Sequence, residues 1–439
     1  MSAALGTETP PVSSVPIWKQ PMVRRLLVIA LLAEIGYAVL NISSMPVYLA
    51  ADPGSPHKLI PEGRGLGASV IGFVLVAFLF SEAVFKGPMG ALADRFGHRK
   101  LMLIGPCITT CTALLTLIVP YNSGAMEVAL LLLLRTADGI GAAMLWPAAF
   151  ALMGETVGDD QRQQAMSFLN LCYMLGIALA LPIGGVADDW SSHKWASLFL
   201  ASVVFAGVAL AVFRFIPHED QLPHFGEHSE TPAEAGFKDL LHAVRQIPAY
   251  LILAFVTFIG IGFPMAIIKL FALTEFQMGE SSFGCFVVLP ACLGMAVFSV
   301  PLSRYGEKIG KSRAVHVGMA LCVVGLVIAS SGAFVPVLRA PWVLALGGLP
   351  LGAGFLLAIP AWMASVSDID PQKRGSNIGA VMTAQGLGAI IGAPLGSTLY
   401  EKLAPITGTD LAHYSPFLGC TACVTCGWVL SLRLLRGSH

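Results

Sequence analysis

Runs of apolar residues close to twenty long recur along this chain, and no other feature restricts its fold so severely. At 1.5 Å of rise per residue, such a run matches the hydrocarbon thickness of a bilayer when helical. Inside that layer no water satisfies the backbone, so a crossing segment must bond to itself as a helix or close into a barrel. The length of the runs predicts helices. Twelve are discernible, centred near Tyr37, Leu79, Thr110, Gly139, Gly176, Val204, Gly260, Cys292, Cys322, Gly352, Gly388 and Thr425. Only 12% of the 439 residues are Asp, Glu, Lys or Arg, against about 25% in soluble proteins. Mean hydropathy is +0.76. These values exclude a soluble enzyme, a nucleic-acid binder and a secreted disulfide scaffold, and they predict an all-α integral membrane protein.

The longest polar break, from about His218 to Arg245, separates six spans from six and is rich in Glu, His and Pro. The expected organisation is a tail at 1–20, a six-helix bundle at 21–217, a linker at 218–246 and a second six-helix bundle at 247–439. The 26 basic and 26 acidic side chains cancel, so net charge names no polyanionic partner and no nucleic acid is expected. Their placement is more informative. With the N-terminus on the cytoplasmic side, 18 Lys and Arg fall inside, 5 outside and 3 (Lys86, Arg135 and Lys269) within spans. The positive-inside rule therefore predicts a multi-pass protein of the cell (inner) membrane with both termini cytoplasmic. The polar N-terminal tail runs directly into a segment long enough to span, so no cleavable signal is expected. Most of the nine cysteines lie in apolar runs and read as small buried hydrophobes. The triplet Cys420, Cys423 and Cys426 has no His or carboxylate in its segment, so no metal is expected.

The two halves repeat. Gly90-Ala91-Leu92-Ala93-Asp94-Arg95-Phe96-Gly97-His98-Arg99-Lys100 follows span 2, and Ser303-Arg304-Tyr305-Gly306-Glu307-Lys308-Ile309-Gly310-Lys311-Ser312-Arg313 follows span 8. An offset of 213 pairs Gly97 with Gly310, Asp94 with Glu307, Arg95 with Lys308 and Pro147 with Pro360. An offset of 212 pairs Arg162 with Arg374, Pro182 with Pro394 and Gly184 with Gly396. Six spans is an even number, so both halves start on the same side and the repeat is parallel.

On these residues the chain resembles the major facilitator superfamily, from about Arg25 to Arg436. The loop from Gly90 to Lys100 matches the family's G-x-L-A-D-R-x-G-R-K signature, with His98 in place of Arg. Arg135-Thr136-Ala137-Asp138-Gly139-Ile140-Gly141-Ala142-Ala143 resembles the span-4 motif of drug:proton antiporter-type members. Leu181-Pro182-Ile183-Gly184-Gly185 keeps only part of the span-5 antiporter motif. The resemblance implies twelve helices in two pseudo-symmetric six-helix bundles around a central cavity lined by spans 1, 4, 7 and 10. It implies that Gly90, Asp94, Arg95, Gly97, Arg99 and Lys100, with Glu307, Lys308 and Gly310 of the second half, form a cytoplasmic gate. Asp94 would face the start of span 11 near Ser376 and Asn377, where a carboxylate gains from a helix N-terminus. Gly90 would let two helices approach closely.

Ionisable residues inside spans persist mostly where they work or pair. Glu34, Arg135 and Asp138 fall at similar depth and are the candidates for proton coupling, Glu34 first and Asp138 second as carrier. An Arg keeps its proton, so Arg135 would modulate a carboxyl. A static ion pair that fixes helix packing is the alternative. Glu82 and Lys86 stand four apart in the favourable order and read as an intramembrane ion pair. Lys269, near the outer end of span 7, is expected to snorkel. Asn41, Trp146, Phe258, Phe263, Met265, Phe355 and Trp362 are the candidate lining of a substrate cavity, and the bulky set favours a lipophilic substrate.

The expected activity is secondary transport by alternating access, as proton-coupled efflux of amphipathic or drug-like compounds by a monomer. An importer of a sugar or organic acid is the alternative, and a non-transporting membrane receptor is a third reading. No phosphate-binding loop, H-E-x-x-H or Gly-x-Ser-x-Gly elbow is present, so neither enzyme activity nor a cofactor is expected. The outer loop from Ala51 to Gly67 has no assigned role at this level.

Overall fold

The computed structural model describes residues 19–54, 60–157, 159–217, 247–369 and 374–434. Nearly all of the tail and the whole linker at 218–246 lie outside these. The described chain is helical: α1 (Pro21–Ala50), α2 (Ala68–Phe96), α3 (His98–Ile118), α4 (Ala125–Thr156), α5 (Asp159–Ser191), α6 (Ala196–Phe215), α7 (Pro248–Met265), α8 (280–309), α9 (Lys311–Ser330), α10 (Pro341–Ile369), α11 (Arg374–Lys402) and α12 (Thr409–Leu434). A short helix, Ile268–Glu275, follows α7. Eleven of these helices are long and apolar enough to cross a membrane. The apolar stretch of α8 among the described residues is shorter, Glu280–Met295, and it opens on a π turn at Phe283–Val288.

The aligned glycines of the repeat explain two sharp junctions. Gly97 joins α2 to α3 at φ 106 and ψ 134, and Gly310 joins α8 to α9 at φ 86 and ψ 150. That region is open essentially to glycine alone, so each helix ends and the next starts without a loop. Within each bundle a second pair of glycines seats one helix on another. A Cβ on Gly105 of α3 would strike the carbonyl of Gly141 in α4, and one on Gly318 of α9 would strike that of Gly354 in α10. Both members of the second pair stand 213 residues after those of the first. The contacts belong to the same duplication.

Each half has its own apolar core. In the first, α1 and α6 contribute Leu26, Leu40 and Phe205, with Met102 from α3 and Leu152 from α4. In the second, Trp362, Val366, Val315 and Leu253 pack together. The halves meet along a seam where Ala68 and Leu75 of α2 join Ile267, Phe271, Ala393 and Tyr400. Glu401, at the end of α11, accepts hydrogen bonds from the Ser69 backbone N–H and hydroxyl, both at 2.7 Å, at the N-terminus of α2, where a carboxylate is favoured. All of these contacts lie toward the face away from the chain ends, called distal below.

Among the described residues, a Cβ on Gly90 of α2 would meet Pro147 Cβ of α4 at 3.7 Å, an ordinary van der Waals contact within the same half.

The connection at 51–67 is tied into the first bundle by Arg64. Its guanidinium donates to the carbonyls of Val119 (2.8 Å) and Thr116 (2.8 Å) at the end of α3 and pairs with Glu127 of α4 at 3.0 Å. It also lies 5.6 Å from the ring centroid of Tyr48. Both members of the pair are buried. Removing one partner of a buried pair costs about 3–5 kcal/mol. Arg64→Met is expected to lower thermal stability by about 3 kcal/mol, and Arg64→Met with Glu127→Gln to recover most of it, as read by thermal unfolding in detergent.

Candidate functional site

The polar residues inside the first bundle sit where small side chains bring helices together. On α4, Gly139 lies against Ser81 and the Phe78 carbonyl of α2, and Gly141 lies against Gly105 and Thr109 of α3. Arg135 and Asp138 project from the same stretch, and both are fully buried. Arg135 Nη1 donates to Asp138 Oδ2 at 3.0 Å, an i,i+3 pair within one helix. Arg135 Nε and Nη2 make no further hydrogen bond, nor does Asp138 Oδ1. A void of about 10 Å³, comparable to one water, lies between Arg135, Asn41 of α1 and Ala266 just past α7. Asn41 donates to the Tyr37 carbonyl at 3.0 Å, and its Oδ1 is unpartnered. Arg135 and Asn41 therefore converge at the seam, each with hydrogen-bonding capacity to spare.

Glu34 stands apart from this pair. It is buried on α1, with its side chain against Gly176 of α5, where a Cβ would lie 2.6 Å from Glu34 Cβ. It makes no hydrogen bond or ion pair with a described side chain. Glu82 and Lys86 lie on α2. Those two form the expected i,i+4 pair at 2.8 Å, with the Lys86 side chain half exposed. Tyr37, one helical turn from Glu34, bonds to Thr109 of α3 at 3.3 Å and packs edge-on to Phe205 at 4.5 Å.

The candidate cavity residues are divided. Trp146 is buried, edge-on to Tyr173 at 5.5 Å. Phe258, Met265 and Phe355 are half-buried. Phe263 and Trp362 do not line open space. Phe263 is wedged against Gly396 of α11 and Gly419 of α12, and Trp362 is 1% exposed within the second core. The glycines draw α11 and α12 onto Phe263, and that packing removes it from any cavity in this state. In the gate motif, Arg99 donates to the Phe213 carbonyl at 2.8 Å, Arg95 lies 5.5 Å from the Phe96 centroid, and Lys100 and Lys308 are exposed. The side chains of Asp94, Glu307 and Ser376 lie outside the described set. Asn377 is buried.

Sequence reasoning missed a second charged cluster, at the distal seam. Lys269 is expected to snorkel, but it is 1% exposed. The chain turns between Met265 and Ile268, and the short helix that follows swings Lys269 inward. Its ammonium lies 2.6 Å from Glu280 Oε2 and donates to the Ser43 carbonyl (2.9 Å) and hydroxyl (3.0 Å) in the π turn of α1. It is 4.0 Å from Asp188 Oδ2. Asp188 also accepts from the Ser197 backbone N–H and hydroxyl, both at 2.7 Å. Lys194 reaches Glu280 Oε1 at 2.6 Å, and this carboxylate holds the Lys194 ammonium above its ordinary pKa. Asp189 accepts from the Ser281 backbone N–H and hydroxyl. The partial span-5 motif forms the floor: Gly184 abuts Ser43, and Gly185 abuts the Glu280 backbone. A lone Lys in an apolar run was the visible signal. Its partners are 81 residues upstream (Asp188) and 11 downstream (Glu280), so local spacing could not reveal them.

The contrast between a paired and an unpaired carboxyl is measurable. Asp138→Asn strips the buried Arg135 of its anion and is expected to cost about 3 kcal/mol of stability. Glu34→Gln, which breaks no described ion pair, is expected to stay within about 1 kcal/mol of the parent by thermal unfolding.

Comparison with known proteins places these features. The model of the Major Facilitator Superfamily matches residues 26–393, with a further match over 250–434. Multidrug resistance protein 2 of Bacillus subtilis (strain 168) is 22% identical over 361 residues, which cover 80% of this chain and 83% of that protein. A multidrug resistance protein B homolog of Mycobacterium tuberculosis (strain H37Rv) is 23% identical over 398 residues, covering 76% and 70%. Among solved structures, the nucleoside transporter NupG superposes with a TM-score of 0.72 at 12% identity, covering 95% of this chain and 100% of that one. The bacterial homolog of the human lysosomal transporter Spinster, inward-facing and unoccupied, gives 0.70 at 16% identity, covering 94% and 97%. The structural likenesses speak to the fold, and the family match extends over nearly the whole described chain. The chain belongs to the Major Facilitator Superfamily of membrane transporters.

Proposed function

We propose that the protein is a proton-coupled exporter of amphipathic or drug-like compounds, working by alternating access between two six-helix bundles at 21–217 and 247–439. The observation that carries this reading is Glu34, a buried carboxyl with no described counter-ion or hydrogen-bond donor. Burying an uncompensated charge is costly, and a proton is the remaining way to neutralise it. Arg135 and Asp138 satisfy each other's charge, so their role is to set the field at the seam and to respond when a cationic or hydrogen-bonding substrate arrives. The two multidrug resistance relatives support export. The half-buried Phe258, Met265 and Phe355 suit a lipophilic ligand better than a sugar, which needs many fixed polar groups.

The positive-inside count supports cytoplasmic termini and a cytoplasmic 218–246 linker in an inner-membrane protein, and the proposed unit is the monomer. In that orientation the closed distal seam is the outer gate.

Glu34→Gln is expected to reduce pH-gradient-driven transport of a lipophilic cationic dye in proteoliposomes at least tenfold while leaving equilibrium dye binding within about twofold. Wild-type pH dependence in the variant removes Glu34 as carrier. Uptake of sugars or organic acids with no dye transport by the parent replaces export with the importer reading.

A further inference from the structure

The distal cluster has a division of partners that the fold alone does not require. Lys269 and Glu280 both belong to the second half, and Asp188 and Ser197 both belong to the first. Within this cluster, the contacts that cross the seam are Lys269 to Ser43, Lys269 to Asp188, Lys194 to Glu280 and Ser281 to Asp189. Two carboxylates from opposite halves, Asp188 and Glu280, are thus buried side by side with one ammonium against both; the Lys269, Asp188 and Glu280 side chains are 0%, 0% and 1% exposed. Lys194 supplies a second cation from the rim, with its side chain 43% exposed. Glycine at 185 and 184 removes the side chains that would hold these groups apart.

We propose that Lys269 is the positioning residue of the distal gate: its charge permits the two carboxylates to be buried together, and so sets how much of the protein is closed on that face. The inference rests on the alternating-access reading but not on proton coupling or on export. When the gate is closed, Lys269 bridges the halves. When it opens, Lys269 keeps Glu280 and Asp188 keeps Ser197, while Lys194, Asp189, Ser281 and Ser43 exchange their cross-seam partners for water. Closure is therefore favourable and still reversible. Without the ammonium, Asp188 and Glu280 repel across the seam with only the half-exposed Lys194 to offset them. A neutral replacement for a complete buried pair is tolerated where loss of one member is not, and this distinguishes charge from shape.

The test reads the gate directly, in the full-length protein in lipid nanodiscs, with no substrate and no pH gradient. Spin labels go through non-cysteine chemistry on Tyr121 of the first half and Ile406 of the second, both exposed at the distal face, and the distance distribution is measured by pulsed electron resonance. Lys269→Met is expected to raise the long-distance, distal-open population at least tenfold. Glu280→Gln leaves Lys269 with Asp188 and is expected to shift it less. Lys269→Met with Glu280→Gln is expected to return most of the population to the closed distance. Wild-type distances in Lys269→Met overturn the inference, as does a double variant that stays as open as the single. If Lys269→Met is not recovered folded, the double variant decides: folded and closed supports the charge account, and unfolded or open overturns it. Transport by the parent is assayed separately. A parent that shows no pH-driven transport, but whose gate still follows the charge balance, retains this inference and loses the proton-coupled one.

Discussion

A charge inside a bilayer-length helix has no water to solvate it, and the position of its counter-ion decides what the helix can do. In this protein the partners are mostly found within one half. Arg135 takes Asp138 from its own helix, Lys86 takes Glu82 one turn away, Arg64 takes Glu127 from the first bundle, and Lys269 takes Glu280 from the second. Each half is thus close to electrically complete by itself. Two bodies of that kind can separate and rejoin without large desolvation penalties, which a transporter cycle demands of its interface.

Against that background the exceptions stand out. Glu34 has no described partner, and the Lys269 cluster places carboxylates of both halves in one buried space. The first is a buried carboxyl on α1, the second a junction at the distal end, and they are separate sites on separate elements. Under the function proposed above, proton loading at one and closure at the other would be different events, linked through the movement of the bundles.

Much of this was legible in the sequence because it is local or periodic. Apolar run length gives the helices, and a constant offset gives the duplication. The i,i+3 and i,i+4 spacings anticipate Arg135 with Asp138 and Glu82 with Lys86. Gly97 and Gly310 could be aligned by eye, although their backbone angles and the seats at Gly105–Gly141 and Gly318–Gly354 appear only in three dimensions. The distal cluster was not legible. It depends on a turn after Met265 that redirects Lys269, and on contacts between residues far apart in the chain. The loop at 51–67 was obscure for the same reason, since the partners of Arg64 lie at the end of α3 and the start of α4. Depth arithmetic put Glu34 level with Arg135 and Asp138, but helix rotation, not depth, decides which faces meet.

The glycine seats have one further mechanical consequence. At these seats α3 packs against α4, and α9 against α10, backbone to backbone, which resists sliding. In the alternating-access cycle proposed above, the seam at Ala68–Leu75 would serve as a fulcrum near one end of α2. From Leu75 to Phe96 the helix continues for roughly 30 Å at 1.5 Å per residue. A tilt of ~10° at the fulcrum therefore carries the far end of that arm through roughly 5 Å. In that cycle, slight loosening among a few side chains at one face would be geared up into a passage for a small molecule at the other.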